Sequence, residues 1–132
     1  MAAEANTHHL VLGKLNDFLT RQELPDTHDE RYRQKIARYL VETSGFQPDE
    51  ISSNTPLEII AGHRKAMLKI DFLIQCNGKT VMLIKYAPGS IVTRRASTLA
   101  LSRIACSYQI PYVVVYNGET AEILNGSTGK VL

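Results

Sequence analysis

At 132 residues, 44% hydrophobic and 21% charged, the chain has the composition of one ordinary globular domain, with no room for a helicase-sized motor. No apolar run reaches membrane-span length, the opening MAAEANTHHL lacks a basic start and an apolar signal core, and Cys76 and Cys106 have no metal-ligand spacing. A reduced, cytoplasmic protein without membrane contact is therefore expected. The net charge of +2 is unevenly spread: residues 1–58 carry 6 basic and 10 acidic side chains, whereas residues 59–118 carry 8 basic ones against Asp71 alone. A polyanion is one natural partner for so basic a segment, and folding of the acidic half over it is the other way to neutralise it.

Residues 7–22 place Leu12, Leu15, Phe18 and Leu19 at helical spacing, which predicts a short amphipathic helix weakened by Gly13. His8 and His9 are neighbours that cannot share a helix face, so they read as solvated rather than as metal ligands. Glu23-Leu24-Pro25-Asp26 reads as a break, so residues 1–26 form a helical extension to a domain over 27–132. Thr27 with Glu30 three residues on is a capping-box signature, and Tyr32, Ile36, Tyr39, Leu40 and Thr43 form the stripe expected to be buried, with Gly45 as the stop. Glu30 thus has two readings, a cap or a carboxylate aimed at a site.

Residues 46–54 read as a turn-rich connector, 57–61 as the first strand, and His63-Arg64-Lys65 as a basic turn. Residues 68–86, LKIDFLIQCNGKTVMLIKY, then form two strands folded back near Asn77-Gly78. A three-residue loop, Cys76 to Gly78, puts Asp71 opposite Leu83 with Lys85 on the same face, and leaves Ile70, Phe72, Ile74, Met82, Ile84 and Tyr86 as an apolar wall. A carboxylate and an amine inside such runs form either a cross-strand ion pair or part of a functional site.

After Pro88-Gly89, a helix starting at Thr93 or Ser97 runs to Tyr108, with Ala96, Ala100, Ile104 and Tyr108 expected against a sheet. Its Arg94, Arg95 and Arg103, with Thr93, Ser97 and Ser102, are candidate phosphate contacts. Residues 110–116 read as a strand buried on both faces; Asn117-Gly118 turns it into 121–124, and Ser127-Thr128-Gly129 precedes a short last strand. No Gly-rich phosphate loop, Ser-His-Asp set or zinc pattern is present.

An acid on one strand and a lysine on the next resemble the PD-(D/E)xK nuclease pattern. With the helix DERYRQKIARYLVETSGF, the strand KIDFLI, the segment MLIKYAPGS and the closing IPYVVVYNGETAEILNGSTGKVL, residues 27–132 resemble the nuclease-like N-terminal domain of type I restriction enzyme R subunits. The resemblance implies a restriction-endonuclease-like α/β fold, a central mixed sheet of about five strands flanked by helices. It also implies a divalent cation, Mg²⁺, held beside the scissile phosphate by an acid on the first helix, the strand acid and an acid two residues before the lysine. The matching positions are Glu30, Asp71 and Leu83, with Lys85 in place.

Leu83 stands where the second acid is expected, so the expected function is nucleic-acid binding with impaired metal-dependent cleavage. The alternatives are an active Mg²⁺-dependent endonuclease using Glu30 or Glu58 with Asp71 and Lys85, and a protein-assembly module. DNA is the expected partner, with Arg64, Lys65, Lys69, Arg94, Arg95 and Arg103 as contacts. Restriction-modification or motor subunits and a second copy of the chain complete the partners considered.

Overall fold

The structure is a computed structural model and describes residues 11–132. The chain divides into two compact units, Met1–Pro48 and Asp49–Leu132.

In the first unit, β1 (Lys14–Asn16) pairs antiparallel with β2 (Glu23–Pro25). The helix expected over 7–22 is therefore not formed among residues 11–22, and the rest of that stretch lies outside the described residues. Two local signals override the apolar spacing. Gly13 sits at φ 147°, which no helix accommodates. Asp17, buried, accepts bonds from the Leu19 N–H (3.2 Å) and the Thr20 hydroxyl (2.8 Å), offering the backbone a turn instead. The expected break at Glu23-Leu24-Pro25 is the returning strand.

Helix α1 (His28–Arg38) is capped as the sequence implies, with the Glu30 N–H donating to Thr27 Oγ1 at 3.0 Å. It runs on into a π-helical turn, Tyr39–Thr43. The buried side departs from the expected stripe already at Ala37, before this turn begins. Leu40 and Ala37 are buried, whereas Tyr39 is 54% exposed. Gly45, at φ 81°, closes the segment.

The second unit is a five-stranded mixed sheet in the order β3-β4-β5-β6-β7. β3 (Ile51–Ala61), β4 (Arg64–Cys76) and β5 (Lys79–Tyr86) form an antiparallel meander. Helix α2 (Arg95–Ala105) then crosses back so that β6 (Tyr112–Tyr116) lies parallel to β5, and β7 (Ala121–Asn125) returns antiparallel. The first strand starts at Ile51, so residues 51–54 belong to β3 and not to the expected connector.

The loop joining β4 to β5 is the two-residue Asn77-Gly78, both at positive φ (53° and 78°), rather than a three-residue loop. The extra residue lies in β5 instead: Ile74 pairs with Met82 but Gln75 with Thr80, so Val81 is bulged. Leu73 consequently faces Leu83, and extending the ladder by one pair sets Asp71 across from Lys85. The facial partition survives, because the bulge restores the parity that the shorter loop removes.

Helix α2 buries a different side from the one expected. Thr98, Leu101 and Ser102 are buried, and Ala96, Ala100 and Ile104 face solvent. The two hydroxyls are satisfied within the helix, Thr98 on Arg94 O (2.7 Å) and Ser102 on Leu99 O (2.6 Å), so they enter the core at little cost. Leu101 joins Leu73, Leu83, Val113, Val115 and Leu124 in the core cluster.

Candidate functional site

Asp71 is buried at 2% exposure in the row of residues where β4 parts from β5. The ladder between these strands ends at the Phe72–Ile84 pair, and the next amide on β5, Tyr86 N–H, donates to Asp71 Oδ2 at 2.8 Å. The carboxylate thus replaces a backbone acceptor at the point of divergence. Pairing on the other side lapses there too, at Asn54 (φ 53°), and resumes in the same register. Lys85 Nζ lies 3.5 Å from Asp71 Oδ2 and donates to Lys69 O at 3.1 Å. The two residues singled out from the sequence therefore do share one face, as an ion pair whose lysine end is one-third exposed.

The same end of the sheet carries a second pair. Parallel pairing aligns Lys85 with Val115, and Val115 lies opposite Glu122. Arg95, at the start of α2, donates from Nη2 to both Glu122 oxygens at 2.8 and 2.7 Å. Its Nε is shielded and has no hydrogen-bond partner among the described residues. Sequence reading did not single out Glu122, and only its place opposite the parallel strand makes it relevant. These groups stand outside the carboxyl ends of the parallel strands β5 and β6, where ligands of α/β sheets bind.

The other expected residues are spread unevenly. Glu58 faces Met67, four residues along the strand from Asp71 and so about 13 Å away, and pairs with Lys65 at 3.8 Å. Glu30 belongs to the first unit, where its carboxylate accepts from Gln34 Nε2 (3.2 Å) and lies 3.9 Å from Arg33. Arg64, Lys65 and Lys69 lie on the β3–β4 hairpin, and Arg94 is exposed just before α2. No carboxylate among the described residues is within ion-pair distance of Arg64, Lys69 or Arg94. Arg103 is at the opposite end of α2, about 12 Å from Arg95 along the helix, donating to Gly126 O (3.3 Å) and Ser127 O (3.1 Å). It does not join the cluster. Ser102 is buried, and the Thr93 and Ser97 hydroxyls bond to Ser90 O and Arg94 O.

The donors in the sheet unit do not fit a hard divalent cation. Asp71 is the one carboxylate at the point of divergence, and its Oδ2 already serves an amide and an amine. Leu83 is fully buried and alkyl, and Glu122, three strands away, is about 14 Å distant. Among the described residues no group of three or more His, Cys, Asp and Glu side chains stands close enough to hold a metal ion.

The architecture is thus that of a mixed α/β domain of the restriction-endonuclease-like kind, with a polar centre at the carboxyl ends of its parallel strands. Residues 28–131 match the family model of the type I restriction enzyme R protein N terminus, and the chain belongs to that family. No curated protein and no solved structure matches it significantly. No helix among the described residues is long and apolar enough to cross a membrane.

Proposed function

We propose that the sheet unit binds nucleic acid at the polar end of its sheet and has lost metal-dependent cleavage of its own. The observation carrying this reading is Leu83, at 0% exposure within the core cluster at the position where a metal-ligating acid is expected. A lone carboxylate gives Mg²⁺ too few anionic oxygens for its octahedral shell. What remains is a set of cations suited to phosphate: Lys85 at the rim with Lys69 beside it, Arg64 at the tip of the β3–β4 hairpin, and Arg94 just before α2. Lys85 is held loosely enough at 3.5 Å to exchange Asp71 for a phosphate oxygen. Membership of the R protein family puts this domain in a restriction-modification context, in which cleavage and translocation would reside in other domains or subunits.

The test is supercoiled plasmid incubated with Mg²⁺ or Mn²⁺, alongside duplex binding at two salt concentrations. Expected is no cleavage above background, together with binding that weakens steeply between about 50 and 200 mM salt. Divalent-dependent nicking that disappears in both Asp71→Ala and Lys85→Ala would overturn the reading in favour of an active endonuclease. Absence of binding at low salt would leave an assembly module.

A further inference from the structure

The β3–β4 hairpin outruns the sheet. β4 loses its β5 partner before Phe72, yet pairing with β3 continues from Thr55–Ile70 to Ala61–Arg64. The residues Arg64–Lys69 are all exposed and extend about 20 Å as a two-stranded arm. A two-residue loop, Gly62-His63, closes its tip, with Gly62 at φ 62°.

The arm has two unlike faces. On one, Leu57 and Ile59 are half-buried. On the other, which continues into Asp71 and Lys85, the register sets Glu58 opposite Met67, Ile60 opposite Lys65 and Pro56 opposite Lys69, and every one of these residues is exposed. Ile60 and Met67 are 64% and 63% exposed, an unusual placement for two large apolar side chains on a regular ribbon. Lys65 and Lys69, with Arg64 and His63 at the tip, outweigh the single carboxylate of Glu58. Charge complementarity therefore points to a polyanion, and the apolar pair to something more than phosphate.

Resting on the nucleic-acid reading above, we propose that this arm enters the major groove of duplex DNA with its Glu58–Ile60–Lys65–Met67–Lys69 face inward. The groove, about 12 Å wide, admits a two-stranded ribbon. The face offers each kind of group that reads base edges there: Ile60 and Met67 for the thymine methyl, Glu58 for the cytosine amino group, and lysines for guanine or the flanking phosphates. Asp71 and Lys85, at the base of the arm, then meet the backbone beside the groove.

The experiment measures duplex affinity across 50–200 mM salt for the full chain, for Lys65→Gln/Lys69→Gln, and for Lys79→Gln at the other end of the sheet. Loss of two cationic contacts removes about 1.8 from the log–log salt slope, so over that range the wild type should lose roughly tenfold more affinity than the double variant. The Lys79 variant should follow the wild type. A second arm uses the same duplex with bulky sugars on cytosine C5, which fill the major groove and leave the minor groove and phosphates unchanged; binding should weaken at least about tenfold.

If the wild type binds duplex but the double variant keeps its slope, or the modified duplex binds equally well, the arm assignment is overturned while the nucleic-acid reading stands. If the wild type binds no duplex at low salt, both fall. Retained thermal unfolding in the double variant separates lost contact from lost fold.

Discussion

Strand β4 is one unbroken stretch of backbone in two environments. The six residues Arg64–Lys69 all face solvent, and the next five, Ile70 to Ile74, are all buried. The difference is not made by β4 itself. In the arm it has a single neighbour, β3, whereas past Asp71 it gains β5 on its other edge and the α2-covered core on one face. Burial is thus set by what arrives from elsewhere in the chain, and the boundary between the two halves is where the buried carboxylate sits. A charge placed there is close enough to solvent for Lys85 to reach it and deep enough for the loss of either partner to matter.

Substitutions at matched apolar positions on the two sides sharpen this contrast, and the largest effect is expected at Leu83, which faces Leu73 in the buried half. Leu83→Glu installs the acid that the PD-(D/E)xK resemblance implies, but puts a charge where nothing compensates it. A loss of about 3–5 kcal/mol is expected, enough to unfold a marginal domain. Leu83→Ala should cost about 2–5 kcal/mol and Leu83→Met less than about 1.5. Urea denaturation measures all three. Full stability of Leu83→Glu, with a divalent cation bound, would show that the centre retains the capacity for a metal.

A smaller effect is expected at the boundary. Asp71→Ala removes the acceptor of the Tyr86 N–H and the partner of Lys85, and should cost about 1–3 kcal/mol; Asp71→Asn, which keeps an oxygen for the amide, should cost less. In the arm, Met67→Ala should stay within about 0.5 kcal/mol of the wild type, since its side chain is already in water. A large loss there would mean that the exposed face is packed in solution.

Much of this was legible in the residues. The alternation of Ile70, Phe72 and Ile74 against Asp71 and Leu73 fixes the two faces, and the Asn77-Gly78 pair marks where the chain folds back, although the loop has two residues and not the expected three. The register was not, because a bulge at Val81 has no sequence mark: the shorter loop and the bulge together move the partner of Asp71 from Leu83 to Lys85 while leaving each residue on its face. The α2 stripe was misread for a related reason. Alanines suggest close approach, but here Thr98 and Ser102 go inward with their hydroxyls tied to their own helix, and the alanines face water. Glu122 and Arg95 are 27 residues apart, and only the crossover brings them together.

The far end of β4 offers the finest probe of how environment varies along one strand. Cys76, paired with Lys79 beside the turn, has its thiol pushed above the ordinary range, first by partial burial and then by the neighbouring charge of Glu50, which also accepts its hydrogen bond. Each cause disfavours the thiolate, the species that reacts with alkylating reagents. In a Cys106→Ser background, Cys76 should therefore react more slowly at pH 8 than an exposed thiol, and Glu50→Gln should speed it by removing the charge. The sign fixes how this depends on pH. Thiolate forms in both proteins as pH rises, so the gap between them should close above the raised value and be widest below it. Equal rates at pH 8 would mean that Glu50 does not act on this thiol, leaving burial alone to hold the proton.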